Sequence, residues 1–321
     1  MGPLQLELVS ASAAAFLGGA LSLFVVIPLL RRTGTVDVPN ARSSHVIPTP
    51  RGGGIGLVIG AGLGSFTWFL LGGALPSPVL LSALFMGGLG FIDDRRGLSA
   101  RIRLLGQVAV GFFCGWSLGG LGGGLVGLIA FPVLINAVNF MDGINGISAI
   151  FGAVWGGSAI VFGLVSGTEE VALVGAITFG VCLGFLPWNL PRARTFLGDV
   201  GSYFLGALVA GGVLLAGAGE YGPLGSGAWI LLGPVAIYLA DTGWTLMSRL
   251  LRGERVTQAH RDHIYQRLVD LPSARHWSVS MGVGVACTLC AGLVYLPWSW
   301  LWIAVVVLVY ALSPLALNRA P

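Results

Sequence analysis

The chain reads as a succession of long apolar stretches separated by short polar ones. Their approximate boundaries are Leu6–Leu30, Gly54–Leu71, Leu75–Ile92, Leu104–Leu118, Leu121–Asn136, Ile147–Val165, Val171–Pro187, Gly201–Gly219, Gly227–Met247, Val279–Leu296 and Leu301–Leu317. Most approach the roughly 20 residues that a helix needs to cross a bilayer. The pattern therefore predicts eleven transmembrane helices and an all-α, polytopic integral membrane protein. Neither a repeat period nor a soluble domain boundary interrupts it, so residues 1–321 are expected to form one membrane-embedded domain. The first stretch lacks a basic leader and is followed by Arg31-Arg32, which favours a retained span over a cleaved signal.

Composition strengthens this reading. Charged residues make up 9% of the 321, and hydrophobic ones 55%, whereas soluble chains carry about 25% charged residues. The small basic excess and the four cysteines argue against a nucleic-acid binder and a disulfide scaffold. All four cysteines, including the Cys287-x-x-Cys290 pair, sit in apolar spans and read as small packing residues.

Charge placement adds orientation. All 17 basic residues are arginines, grouped at Arg31–Arg51, Arg95–Arg103, Arg192–Arg194, Arg249–Arg275 and Arg319. Two apolar stretches separate consecutive groups, so every arginine falls on one face, which the positive-inside rule makes cytoplasmic. The N-terminus is then outside and the C-terminus cytoplasmic. Of the acidic residues, Glu7, Glu169, Glu170 and Glu220 fall outside, where connections such as Gly72–Leu75 and Pro297–Trp300 are short. Any chemistry is expected on the inner face.

Polar groups that interrupt or end spans on that face are the candidates, because ionisable residues at membrane depth are costly and usually functional. Asp93-Asp94 ends the third span and is followed by Arg95, Arg96, Arg101 and Arg103, which suits a divalent cation and phosphate, or a solvated helix end with paired charges. Asn136, Asn139 and Asp142 recur every three residues and share an arc of about 120° on a helix. That face suits a polar ligand or hydrated metal, or hydrogen-bonded glue between helices. Asp199, between Gly198 and Gly201, reads as a metal ligand or as a helix cap. Asp241 lies about 12 Å inside the membrane, counting eight residues from Arg249 at 1.5 Å each. His260 and His263, beside Arg261 and Arg267, could take phosphate oxygens or a metal, or lie on anionic lipid. The first inner loop carries Asn40, His45 and Arg51, then Gly52-Gly53-Gly54, a run whose amides could approach an anion or which could be merely flexible.

Carboxylates, amides and arginines together point to anionic substrates and a hard cation. Mg²⁺ fits best, with Mn²⁺ as a substitute; zinc would want more His or Cys.

These residues resemble the polyprenyl-phosphate N-acetylhexosamine-1-phosphate transferases of glycosyltransferase family 4, which include phospho-N-acetylmuramoyl-pentapeptide transferase and the initiators of O-antigen and teichoic-acid synthesis. The resemblance covers nearly the whole chain. It rests on Asp93-Asp94, the Asn-x-x-Asn-x-x-Asp-Gly run ending at Asp142-Gly143, Gly198-Asp199-x-Gly201-Ser202 and the late histidine motif, in that order. The wording of residues 43–54 and 260–268 is most similar to the bacterial branch that initiates O-antigen or surface polysaccharide; the three clustered histidines usual in the muramoyl-pentapeptide branch are absent. Many members carry Asp where this chain has Asn145.

The resemblance implies that undecaprenyl phosphate attacks the β-phosphate of a UDP-N-acetylhexosamine, giving a lipid pyrophosphoryl sugar and UMP at the cytoplasmic face of a bacterial inner membrane. It implies Mg²⁺ on Asp199 and Asp94, acceptor orientation or deprotonation by Asp93 and Asp94, and nucleotide or metal-water contacts from Asn139 and Asp142. It places the pyrophosphate on His260 and His263 with Arg51 and Arg101. Arg103, Asn136, Asn40, His45 and Asp241 complete the substrate-binding set, Asp241 either orienting another side chain or pairing structurally with an arginine. Membrane lipids and a second copy in a homodimer are the implied partners. A transporter or flippase is the alternative class, but its carboxylates should lie near the bilayer midplane; a non-catalytic scaffold should tolerate Asp199→Ala.

Overall fold

The computed structural model describes residues 2–39, 47–218, 225–254, 261–272 and 274–317. It is a bundle of helices: α1 (Pro3–Arg32), α2 (Ile55–Leu70), α3 (Ser77–Arg96), α4 (Ala100–Met141), α5 (Ile147–Ser166), α6 (Glu169–Asn189), α7 (Gly198–Gly217), α8 (Ser226–Leu232), α9 (Ala236–Leu251), α10 (Ile264–Val269), α11 (His276–Leu293) and α12 (Ser299–Leu317). A tight turn, Gly233–Val235, joins α8 to α9 so that the two make one pass. Nine passes are long and apolar enough to cross a membrane among the described residues. The 42-residue α4 is broken by non-helical backbone at Gly119 and Gly120, so it makes two passes. With the shorter α2, these give the eleven that the hydrophobic pattern predicts. The protein is an all-α integral membrane protein.

Local chemistry sets the boundaries. Gly97 ends α3 in the left-handed conformation (φ 65°), and the Ser99 side chain then accepts from the Ile102 amide to start α4. Past the break, the arms of α4 pack back on each other through glycines. A Cβ at Gly111 would lie 2.3 Å from the Gly127 carbonyl, and one at Gly115 would lie 2.1 Å from that of Gly123. Only bare backbone permits that approach. The four cysteines are buried and unpaired, as packing residues would be.

Helix α7 is central, buried along nearly its whole length against α3 and α4, whereas α12 lies at the periphery with Tyr310 as its buried residue. Strand pairing among the described residues is confined to Val36–Asp37 against Thr49–Pro50 and one bridge between Arg51 and Phe196. That bridge ties the α1–α2 connection to the start of α7 at the end of the bundle where the arginine-bearing connections gather.

Candidate active site

Four chain segments meet at the start of α7. Asp94, in the last turn of α3, receives the amides of Asp199 and Val200 on its two oxygens, each at 3.0 Å. The carboxylate that satisfies the exposed amides of α7 thus comes from another helix, and Asp199 itself projects from the first turn. Arg51 bridges the pair: its Nε lies 2.8 Å from Asp94 and its Nη2 3.0 Å from Asp199. Asn139, near the end of α4, donates to both Asp199 Oδ1 and Ser202 Oγ at 2.9 Å. Burial alone would lower the Arg51 pKa, but Asp199 and Asp94, with Asp37 and Asp142 beyond them, hold it above its ordinary value.

Glycines allow this convergence. Gly52 and Gly53 donate to the Phe196 carbonyl and Gly54 to that of Leu197, so the run packs on the α7 start and its amides are engaged by backbone rather than left for an anion. A Cβ at Gly54 would sit 2.2 Å from the Gly201 Cα, and one at Gly90 would sit 2.1 Å from the Asp199 carbonyl. Gly198 adopts φ +73°, and a Cβ there would press on Asp94.

Asp93 faces a different set of groups. Its Oδ1 accepts the Leu98 amide at 2.7 Å; its Oδ2 accepts the Tyr203 hydroxyl at 2.8 Å and Arg103 at 3.4 Å. Asp142 has left the helix, which ends at Met141, and accepts the Ser148 hydroxyl at 2.6 Å. Burial pushes its pKa up to about 7, against opposing contributions from Ser148 and Arg51.

The shared arc expected for Asn136, Asn139 and Asp142 resolves into three separate environments. Asn136 lies deeper and donates to Gln107 on the facing arm of α4 at 2.8 Å, so it joins helices. Asn139 joins the carboxylates, and Asp142 sits at the turn into α5. Arg101 is exposed and forms no ion pair with another described residue. Asp241 is buried and accepts from His263, Ile264, Tyr265, Thr245 and Tyr310, so the partner at its side is an imidazole and not an arginine. His263 is buried beside Phe140, the neighbour of Asn139. Asn40, His45 and His260 lie outside the described residues.

Among the described residues no three His, Cys, Asp or Glu side chains converge closely enough to enclose a metal. The donors brought together by Arg51 are nevertheless carboxylate oxygens, those of Asp94 and Asp199. They suit a cation held by one or two carboxylates that completes its shell with water and substrate phosphate, which is the habit of Mg²⁺.

The model of the glycosyl transferase family 4 matches residues 77–217, which hold Asp93, Asp94, Asn139, Asp142 and Asp199. The phospho-N-acetylmuramoyl-pentapeptide-transferase of Synechococcus is 32% identical over 88% of this chain and 89% of its own. The chain belongs to glycosyl transferase family 4. Two other relatives are the decaprenyl-phosphate N-acetylglucosaminephosphotransferase of Mycobacterium tuberculosis H37Rv, 30% identical over 76% of this chain and 71% of its own, and the probable undecaprenyl-phosphate N-acetylglucosaminyl 1-phosphate transferase of Bacillus subtilis, 25% identical over 83% and 79%.

Several residues around this family 4 site carried no sequence signal. Tyr203, Ser148 and Gln107 lie in apolar helices outside any motif read from the sequence, and Asn189 links the turn before α5 to Thr195, ahead of α7. Their roles follow from partners distant in the chain.

Proposed function

We propose that this protein transfers the sugar 1-phosphate of a UDP-N-acetylhexosamine to undecaprenyl phosphate, giving polyprenyl-diphosphate sugar and UMP as the first membrane step of a bacterial surface glycan. The carrying observation is one guanidinium, Arg51, shared between two carboxylates at the start of α7. Such a centre accepts a dication together with a diphosphate. The relatives' names support a polyprenyl-phosphate acceptor and transfer of an N-acetylhexosamine phosphate, and the arginine-flanked end of the bundle supports a site on the cytoplasmic face of the inner membrane.

The acceptor phosphate oxygen attacks the β-phosphorus, and the bond to the UMP oxygen breaks. When bound, Mg²⁺ would offset charge on the transferring phosphoryl oxygens and the leaving UMP. Asp199 and Asp94 would hold it, with Asn139 fixing the Asp199 carboxylate from behind. Arg51, now paired with both carboxylates, would be left to pair with substrate phosphate when they hold the cation. Asp93 orients the acceptor side through Arg103 and is no strong candidate for a base, since both its oxygens are engaged and a phosphate monoester with second pKa near 6 is mostly dianionic at pH 7.

Purified protein given UDP-N-acetylhexosamines, Mg²⁺ and polyprenyl phosphate is expected to release UMP only when all three components are present. Transport without UMP release would overturn the reading. UMP release without acceptor would replace direct attack by a covalent aspartyl route.

A further inference from the structure

Asp241 has no part in the transfer centre as described, yet it is a fully buried carboxylate in a membrane helix, an arrangement that is expensive unless it does something. Its partners are specific. Oδ1 contacts His263 Nδ1 at 2.9 Å and accepts the Ile264 amide at 3.1 Å; Oδ2 accepts the Tyr265 amide at 3.2 Å and the Tyr310 hydroxyl at 2.7 Å. Thr245 adds a donor at 3.3 Å. A carboxylate only accepts, so Nδ1 of His263 carries the proton, and Nε2 is the nitrogen through which the ring addresses anything beyond Asp241. The same carboxylate caps the first amides of α10, so it fixes the ring and the backbone that carries it.

The rest of α9 holds the same segment. Asp241, Thr245 and Arg249 recur at four-residue steps on one buried stripe, and Arg249 pairs with Asp262 at 2.6 Å, one residue before His263. On its other side the segment reaches the transfer centre. The Tyr265 hydroxyl donates to the Phe140 carbonyl at 3.0 Å, the His263 ring stacks on Tyr265, and Phe140 is adjacent to Asn139. Tyr310 comes from the peripheral α12, whose buried contact it is.

We infer that Asp241 and Tyr310 are positioning residues that act through His263, locking its Nδ1–H inward so that Nε2 is presented to the diphosphate of the sugar nucleotide. The last helix thereby belongs to the working site although it lies at the edge of the bundle. The inference rests on the transfer reaction proposed above.

The test is a double-mutant cycle on UMP release, with Asp241→Asn, Tyr310→Phe and His263→Gln alone and combined. Asp241→Asn is expected to lower kcat by about tenfold or more, and Tyr310→Phe by a smaller factor. In the His263→Gln background each should change kcat less than about twofold, because the residue they act through is gone. Equal factors in both backgrounds would overturn the inference and leave a purely structural role. If Asp241→Asn does not fold, the cycle with Tyr310→Phe carries the same test. A second readout is independent of turnover: in protein labelled with ¹⁵N-histidine, the Nδ1 proton resonance lost in His263→Gln should shift in Tyr310→Phe. An unshifted resonance would also overturn the inference, whereas an inactive wild type with that shift intact would sink only the transfer reading.

Discussion

Asp93 and Asp142 are both carboxylates at helix ends, yet their surroundings give them different behaviour. Asp93 is held by an amide, a phenol and a guanidinium, so replacing it with Asn points an amide at donors and dislodges Arg103. Asp93→Asn is expected to lose most UMP-releasing activity, and raising the assay to pH 9 should not restore it; recovery at high pH would make Asp93 a base after all. Asp142 is pushed up to about 7 by burial, while an unfolded Asp titrates near 3.9. Between these values the folded state binds more protons than the unfolded one, so its contribution is full below about pH 4 and is lost as pH rises to about 7. Thermal unfolding in detergent without divalent cation should show this decline for the wild type and not for Asp142→Asn. The carboxylates themselves were legible in the sequence because each interrupts an apolar run. Their partners were not: Tyr203 lies 110 positions from Asp93, and a tyrosine or serine inside a hydrophobic helix announces nothing until another helix is placed against it.

At the level of helices, the hydrophobic pattern located every pass among the described residues, including the two arms of α4 that fold back on each other at Gly119-Gly120. It was less informative about what a polar stripe would meet. Asn136 and Asn139 stand one turn apart on α4, but the first faces Gln107 on the other arm and the second faces Asp199 on α7. Periodicity reports a face, and the neighbours of that face depend on how closely the glycines let the arms approach. Widening that approach should therefore damage the site from a distance. Gly115→Val, which drives a branched side chain into the Gly123 carbonyl, is expected to destabilise the protein by about 1–3 kcal/mol and to lower activity through Asn139. Melting temperature and UMP release measured on the same preparation would check both effects.

Across the whole molecule, the carboxylates, the arginine-bearing connections and the histidine segment gather at one end, while the other end offers turns such as Leu71–Pro76 and Gly167–Thr168. Arginine clustering alone predicted that segregation, since it counts crossings and needs no contacts. The prediction extends to orientation: with the four buried cysteines replaced, a single Cys at Arg194 should resist impermeant thiol reagents in intact cells, and one at Thr168 should react. The opposite pattern would invert the protein in the membrane.

The sharing of Arg51 between Asp94 and Asp199 has a thermodynamic consequence. Ligands do not fill a vacant charge; they exchange partners with an existing ion pair. Under the proposed reaction a dication would displace the guanidinium, which would then take an anion as its partner. Metal and sugar nucleotide should therefore bind cooperatively, with a coupling of about 1–3 kcal/mol, measurable by calorimetry of each in the absence and presence of the other. Arg51→Gln should reverse the usual expectation for an active-site lesion: it abolishes turnover yet tightens binding of Mg²⁺ alone, because two carboxylates are left facing each other with no counter-charge.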